Sequence, residues 1–332
     1  MNNIIKISII MPIFNSAKYL AQAIESVLNQ SLNEFELICI NDGSTDNSLE
    51  ILEKYSARDS RIKIISKENE GQGVARNLAL KKAEGEYIFY LDSDDWLEPN
   101  ALELMYNKIS GDGSDITIFN TYRFYESDNA RMPVEYITSM YSMFGEDTFS
   151  PLDAQDIIFS TTALPFKIYR KEFLIRENIK YSSHKFIEDS LFYIKAMISA
   201  KKISCLNKYL YNYRVHPNSV SYSAGKNIHA FIEIFYMCED ILKESTTCDD
   251  FMYSYLDYKI MQGLCYYKKA TNDKKKCYHY SIQKLFRHIY NTYPKYFTER
   301  KNIPARFYFI LNLSYLMFKI KLISIAIKSH IN

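Results

Sequence analysis

The chain has 332 residues, 47% hydrophobic and 24% charged, an ordinary balance for one large α/β domain with an appendage, or for two domains, able to bury a core. Six cysteines, at positions 39, 205, 238, 248, 265 and 277, form no C-x-x-C pair, which argues against a disulfide scaffold or a thiolate metal site and for a reducing compartment. The net charge of +2 hides an asymmetry: from Lys274 to Asn332 there are twelve Lys or Arg and one acid, Glu299, about +11, against about −9 on the rest.

Met1–Phe14 alternates like a strand, meets Pro12 early and lacks a small-residue cleavage site, so no signal peptide is expected. Ile5–Ile13 is a continuous apolar run, as a strand buried on both faces would show. Ala17–Asn29 carries Leu20, Ile24, Val27 and Leu28 at helical spacing. Strands are then expected at Phe35–Ile40, Arg61–Ile65, Tyr87–Leu91 and Asp115–Phe119. Helices are expected at Asp46–Tyr55, at Val74–Ala83 and from Pro99. This alternation predicts a largely parallel sheet with right-handed crossovers. Thr121–Ser150 breaks the pattern with weak hairpin or loop signals. Pro165–Tyr169 and Tyr209–Val215 read as strands, Glu188–Ala200 as a helix, and everything beyond Asn227 as helical.

Four motifs fall at expected strand ends, where open α/β sheets bind ligands. Pro12-Ile13-Phe14-Asn15 closes the first strand. Asn41-Asp42-Gly43-Ser44-Thr45-Asp46 closes the second, and reads equally as a carboxylate site for a base or ribose and as a tight turn with a helix cap. Asn69 to Asn77 contains Gly71-Gln72-Gly73 but has Arg76 where a dinucleotide fingerprint needs its third glycine, which argues against NAD. An Arg in a first helical turn suits a diphosphate or carboxylate; the alternative is an ordinary surface helix start. Asp92-Ser93-Asp94-Asp95 follows a buried strand, where three acids are costly without a cation or solvent. Its position favours a hard divalent ion bridging carboxylate and diphosphate oxygens over a solvated, helix-capping loop.

Taken together, these motifs resemble the family 2 glycosyltransferases of the GT-A fold. The similarity is close from about Lys6 to Trp96, with Asp92-Ser93-Asp94 as the family's D-x-D element. It recurs at Phe186-Ile187-Glu188-Asp189 and at Tyr213-Arg214-Val215-His216-Pro217-Asn218-Ser219-Val220-Ser221, covering roughly the first 225 residues. The resemblance implies a mostly parallel Rossmann-like sheet flanked by helices in a catalytic domain over 1–225. Within it, 1–120 would be the nucleotide-sugar half and 121–225 the acceptor half, with a helical, basic region over 226–332. It implies that Pro12 and Phe14 line the base and that Asp42 binds base or ribose. Asn69 and Arg76 would hold the nucleotide or donor sugar, Asp92 would contact ribose or metal, and Ser93 would contact the donor. Asp94 would ligate Mn2+ or Mg2+, and Asp189 would be the general base. His216 stays open between a packed histidine and a phosphate or metal contact, and Trp96 reads better as core than as a sugar-stacking ring.

The implied reaction is an inverting displacement, from a sugar carried by UDP, the family's commonest carrier, to a glycan or lipid-linked glycan. No nucleic-acid partner is expected for this reaction; the basic tail suggests an anionic surface, with membrane lipid as first candidate ahead of nucleic acid. A sugar nucleotidyltransferase, or a catalytically inactive nucleotide-sugar-binding subunit, are the competing readings; no Walker lysine motif supports an NTPase. In the basic tail, Ile303–Lys328 is strongly apolar, but its longest uncharged run, Phe307–Phe318, is too short for a bilayer, which needs about 20 residues. An interfacial helix at the cytoplasmic face of a membrane and a packed C-terminal helix both fit it.

Overall fold

The computed structural model describes residues 4–135, 138–155, 158–159, 166–183, 189–216, 228–245, 248–269, 274–300 and 304. The chain divides into two compact units, Met1–Ser219 and Val220–Asn332.

The first unit is a helix-flanked sheet of nine strands in the order β3-β2-β1-β4-β8-β6-β9-β5, with β7 paired to β6. Strands β1 (Ile7–Ile13) and β2 (Phe35–Asp42) are buried at every position, because helices cover both faces of this parallel half. Strands β3 (Ile62–Lys67) and β4 (Tyr87–Tyr90) complete that half. Helix α1 (Ala17–Leu28) buries Leu20, Ala23, Ile24 and Val27, one apolar stripe set by the i, i+3, i+4, i+7 spacing. Helices α2 (Ser48–Ser56), α3 (Gln72–Lys82) and α4 (Ala101–Asp112) follow their strands; α4 starts two residues beyond Pro99.

The expectation of a largely parallel sheet needs correcting beyond β4. Strand β8 (Lys167–Arg170) lies antiparallel between β4 and β6 (Ile116–Tyr125). Strand β9 (Ile203–Val215) runs parallel to β6, and the two-residue β5 (Trp96–Leu97) pairs antiparallel with it. Apolar alternation marks a strand but carries no direction, so the sequence could not show this insertion. The stretch where the pattern broke holds a hairpin from β6 to β7 (Ala130–Val134), turned through Asn129 at positive φ, and helix α5 (Thr138–Phe144). Helix α6 (Lys171–Arg176) leaves β8, and α7 (Asp189–Ser199) precedes β9.

The second unit, as described, consists of helices Ile228–Glu244, Cys248–Lys269, Lys275–Thr292 and Pro294–Glu299. No helix among the described residues is long and apolar enough to cross a membrane. The apolar stretch Ile303–Lys328 lies outside the described residues, Pro304 apart.

Candidate active site

The motif loops meet at the carboxyl ends of β1, β2 and β4. After β1, Asn15 turns at φ 51°, and its side-chain oxygen accepts from the Thr45 N–H at 2.8 Å while its own N–H donates to Ser44 Oγ at 3.1 Å. Asp46 accepts from the Ala17 and Ser48 N–H groups, both at 3.0 Å, and so serves the starts of two helices. Phe14 is half exposed beside this stitched pair of loops, whereas Pro12 is buried within β1 opposite Ile40.

Asp42 is buried, and both of its carboxylate oxygens are engaged. Lys67 donates at 2.7 Å, and the N–H groups of Glu70 and Gly71 donate at 3.1 and 2.8 Å. These bonds hold the turn that presents the exposed Asn69 and opens α3. Gly43, at φ +72°, lies so close to that turn that a Cβ on it would sit 2.9 Å from Asn69 N. In this conformation Asp42 braces a loop.

Arg76 leaves the first turns of α3 and is buried. It donates to Asp92 at 2.7 Å and to Gln72 at 3.1 Å, and lies over the Tyr181 ring at 5.1 Å. Asn77 makes paired bonds with the Tyr181 backbone, both 2.9 Å. Ser93 places its hydroxyl 2.6 Å from that of Ser16, tying the acidic loop to the β1 loop.

The acidic loop is strapped from the other side by β9, a feature only partly visible in the sequence. Asp95 is buried and accepts from Tyr211 Oη at 2.5 Å and the Arg214 N–H at 2.7 Å. Arg214 donates from Nε to the Asp94 carbonyl at 2.7 Å and from its guanidinium to Gln22 at 2.6 Å, enclosed by the rings of Tyr19, Trp96 and Phe124. Trp96 thus packs against an arginine and Phe124. His216 Nε2 lies 2.9 Å from Asp94 Oδ2, and its ring packs on Tyr19 at 4.8 Å, which is the packed arrangement with its polar edge on the acidic loop. Asp95, Tyr211, Arg214, Lys67 and Asn77 were not singled out from sequence. The acidic run and the quoted Tyr213-to-Ser221 segment held the signals for Asp95 and Arg214.

Burial, and after it the charge of Asp92, raises the Asp94 carboxyl above the ordinary range, with the His216 bond opposing; burial, then Asp94 and Asp92, push Asp95 further up. A cation would relieve this crowding. The Asp94 carboxylate is of the type that would suit a hard divalent ion together with phosphate oxygens, and the His216 imidazole lies beside it. Among the described residues no group of three or more metal-type side chains converges.

Asp189 heads α7 in its first turn. That helix docks through Phe192, whose ring stacks on Tyr181 at 4.3 Å and meets Tyr90 and Tyr169 edge-on at 5.7 and 5.4 Å. The same Tyr181 carries Arg76, so helix α7 and the Arg76–Asp92 pair share one aromatic floor. Phe186, Ile187 and Glu188 lie outside the described residues.

Residues 8–173 match Glycosyl transferase family 2, half of the chain. The chain belongs to that family. Among its relatives is the cholesterol galactosyltransferase of Borreliella burgdorferi, 32% identical over 259 residues, 72% of this chain and 72% of the relative. The poly(ribitol-phosphate) beta-glucosyltransferase of Bacillus spizizenii is 34% identical over 237 residues, 69% of this chain but 36% of that protein. Against some relatives the chain therefore spans about a third of their length. In three dimensions it is similar to S. aureus TarS 1–349 in complex with UDP-GlcNAc, with 27% identity, a TM-score of 0.71, and 85% of this chain and 81% of that one covered. As a family 2 member with this fold, the protein is a glycosyltransferase of the nucleotide-sugar-dependent kind.

Proposed function

We propose that the protein moves a sugar from a UDP-sugar to a hydroxyl of a glycan or lipid-linked glycan, with inversion and with a divalent ion, at the cytoplasmic face of a membrane. The observation that carries this reading is the acidic loop after β4, held by Arg76, Arg214 and His216 where the strand ends converge. The relatives' names specify galactosyl and glucosyl transfer, and TarS binds UDP-GlcNAc, which supports a UDP-linked hexose or N-acetylhexosamine as donor.

Asp94, with His216, would hold the ion; when bound, it offsets charge on the departing diphosphate. Phe14 offers an apolar face to the base beside the Asp42-braced loop, and Asn69 and Arg76 face the nucleotide or donor sugar. Asp189 takes the acceptor hydroxyl proton as that oxygen attacks the anomeric carbon. The bond from that carbon to the diphosphate breaks, and its electron pair leaves with UDP.

Calorimetry of UDP with manganese tests the donor half. Asp94→Ala is expected to weaken metal-dependent binding strongly; unchanged affinity would remove Asp94 from the site. Asp189→Asn is expected to fold and bind UDP normally while transfer falls about 10²–10⁴-fold, the usual cost of losing a general base. Near wild-type transfer at saturating donor would reassign the base.

A further inference from the structure

Three basic side chains are buried in the catalytic unit among the described residues, apart from His216: Arg76, Arg214 and Lys167. Arg76 pairs with Asp92, and Arg214 holds Asp94 and Asp95 through the Asp94 carbonyl and its own backbone N–H. Lys167 belongs to no motif, yet it is the most deeply buried of the three, at 1% exposure. It opens β8, and the register that pairs Phe89 with Ile168 puts it at the end of β4 that leads into Asp92. Its Nζ lies 4.8 Å from the centre of the Tyr193 ring. Tyr193 and Asp189 are four residues apart on α7, so they stand one above the other on the same helix face. The lysine therefore reaches the face of α7 that carries Asp189.

We propose that Lys167 is the buried counter-ion of Asp189, a positioning residue that keeps this carboxylate ionised and turned toward the acceptor. The proposal rests on the reading of Asp189 as the general base. Electrostatics agree with the geometry. Burial pushes the Lys167 ammonium down to about 7, and the Asp189 carboxylate is the charge acting in the opposite sense. Tyr169, two residues along β8, is pushed well above its ordinary range by burial, with Tyr90, Tyr193 and Asp189 adding to the effect. The titratable groups that the described residues bring toward Asp189 include Lys167 and Tyr169 from β8 and Tyr193 from its own helix, and among these three Lys167 is the cation. A base needs its proton off before the acceptor arrives, and the positive charge that Lys167 carries below about pH 7 secures that state in low dielectric more effectively than a charge in water. An aliphatic residue would pack the same place without desolvating an ammonium, so the lysine costs the core stability.

Selective 13C labelling of aspartate carboxyl carbons tests this directly, with the Asp189 signal identified by its loss in Asp189→Asn. In Lys167→Met and in Lys167→Gln, which removes the charge but keeps a polar end, the Asp189 titration midpoint is expected to rise by one pH unit or more. Lys167→Arg is expected to hold the wild-type midpoint, and manganese-dependent UDP affinity should be unchanged in all three. UDP release from a UDP-hexose or UDP-N-acetylhexosamine should lose its acid limb at a correspondingly higher pH in the Met and Gln variants. An Asp189 midpoint that stays in place in both variants overturns the proposal. Full transfer by Asp189→Asn would instead overturn the base assignment and leave the Lys167–Asp189 pairing to be judged by the titration alone.

Discussion

Lys167 shows at the scale of one residue how a site conflicts with its core. An ammonium held down to about 7 in the folded protein regains its ordinary value near 10.5 when unfolded. Below pH 7 it is charged in both states, and the cost of burial is fully felt. Between about 7 and 10.5 the unfolded chain holds a proton that the folded chain has released, so stability rises with pH across that window. Lys167→Met is therefore expected to be more stable than wild type at pH 7 and below, by up to a few kcal/mol, since each tenfold change in proton affinity is worth about 1.4 kcal/mol. The gain should shrink toward pH 10, and urea melts at pH 6.5 and 9.5 would show it. Equal stability of the two proteins at both pH values would mean that the lysine carries no burial cost. The other site residues divide by how local their signals were. Asp92, Ser93 and Asp94 were legible because three acids at a strand end are chemically anomalous in sequence. Lys167 was not, since a lone lysine inside the expected strand Pro165–Tyr169 carries no sign of burial until the sheet closes around it.

At the scale of elements, β1, β2 and the start of β4 are joined by one buried carboxylate. Glu36 accepts from Ser8 Oγ at 2.5 Å and from the Glu84 N–H at 2.6 Å, and pairs with Lys63 at 2.7 Å. Burial pushes its carboxyl up, but Lys63, Ser8 and the Glu84 N–H outweigh that and leave it below the ordinary range. A depressed carboxyl stabilises the fold above its unfolded value, near 4.3, and the stabilisation is lost as pH falls through the folded value. Glu36→Ala is expected to cost about 2–3 kcal/mol at pH 7, the range for hydrogen bonds to a charged group. In urea melts this should appear as a lower midpoint at unchanged slope, and the gap should narrow at pH 3. A gap of the same size at both pH values would show that the network adds nothing through charge. The parallel half was legible from strand-helix alternation, and α1, α2 and α3 begin within two residues of their expected starts. Beyond β4, strands β6, β8 and the end of β9 were legible but not their partners, while β5 and β7 were not legible as strands.

At the scale of the whole molecule, the basic tail is partly accounted for by packing. Helix Lys275–Thr292 buries Tyr278, Ile282, Leu285, Phe286 and Ile289, so that apolar face is already used within the second unit. Lys274, Lys276, Lys284, Arg287 and Lys295 remain exposed. Each basic group near an anionic leaflet can contribute about 1 kcal/mol, so a few acting together suffice for reversible attachment. The intact protein is expected to sediment with anionic but not neutral vesicles at low salt, and to be released as salt rises. Removing residues 305–332, which spares the packed helices, should weaken this. A protein that stays in the supernatant with both vesicle types has no such surface.

The sequence by itself determined the family, the parallel half of the sheet and the acidic loop, because each is written in residues close together along the chain. Tertiary structure alone decided that β8 enters antiparallel, that β9 with the following His216 straps the acidic loop through Tyr211, Arg214 and that histidine, and that Lys167 meets the helix bearing Asp189. Those relations join residues 22 to 122 positions apart. Local periodicity records which faces are buried but not which distant partner will cover them.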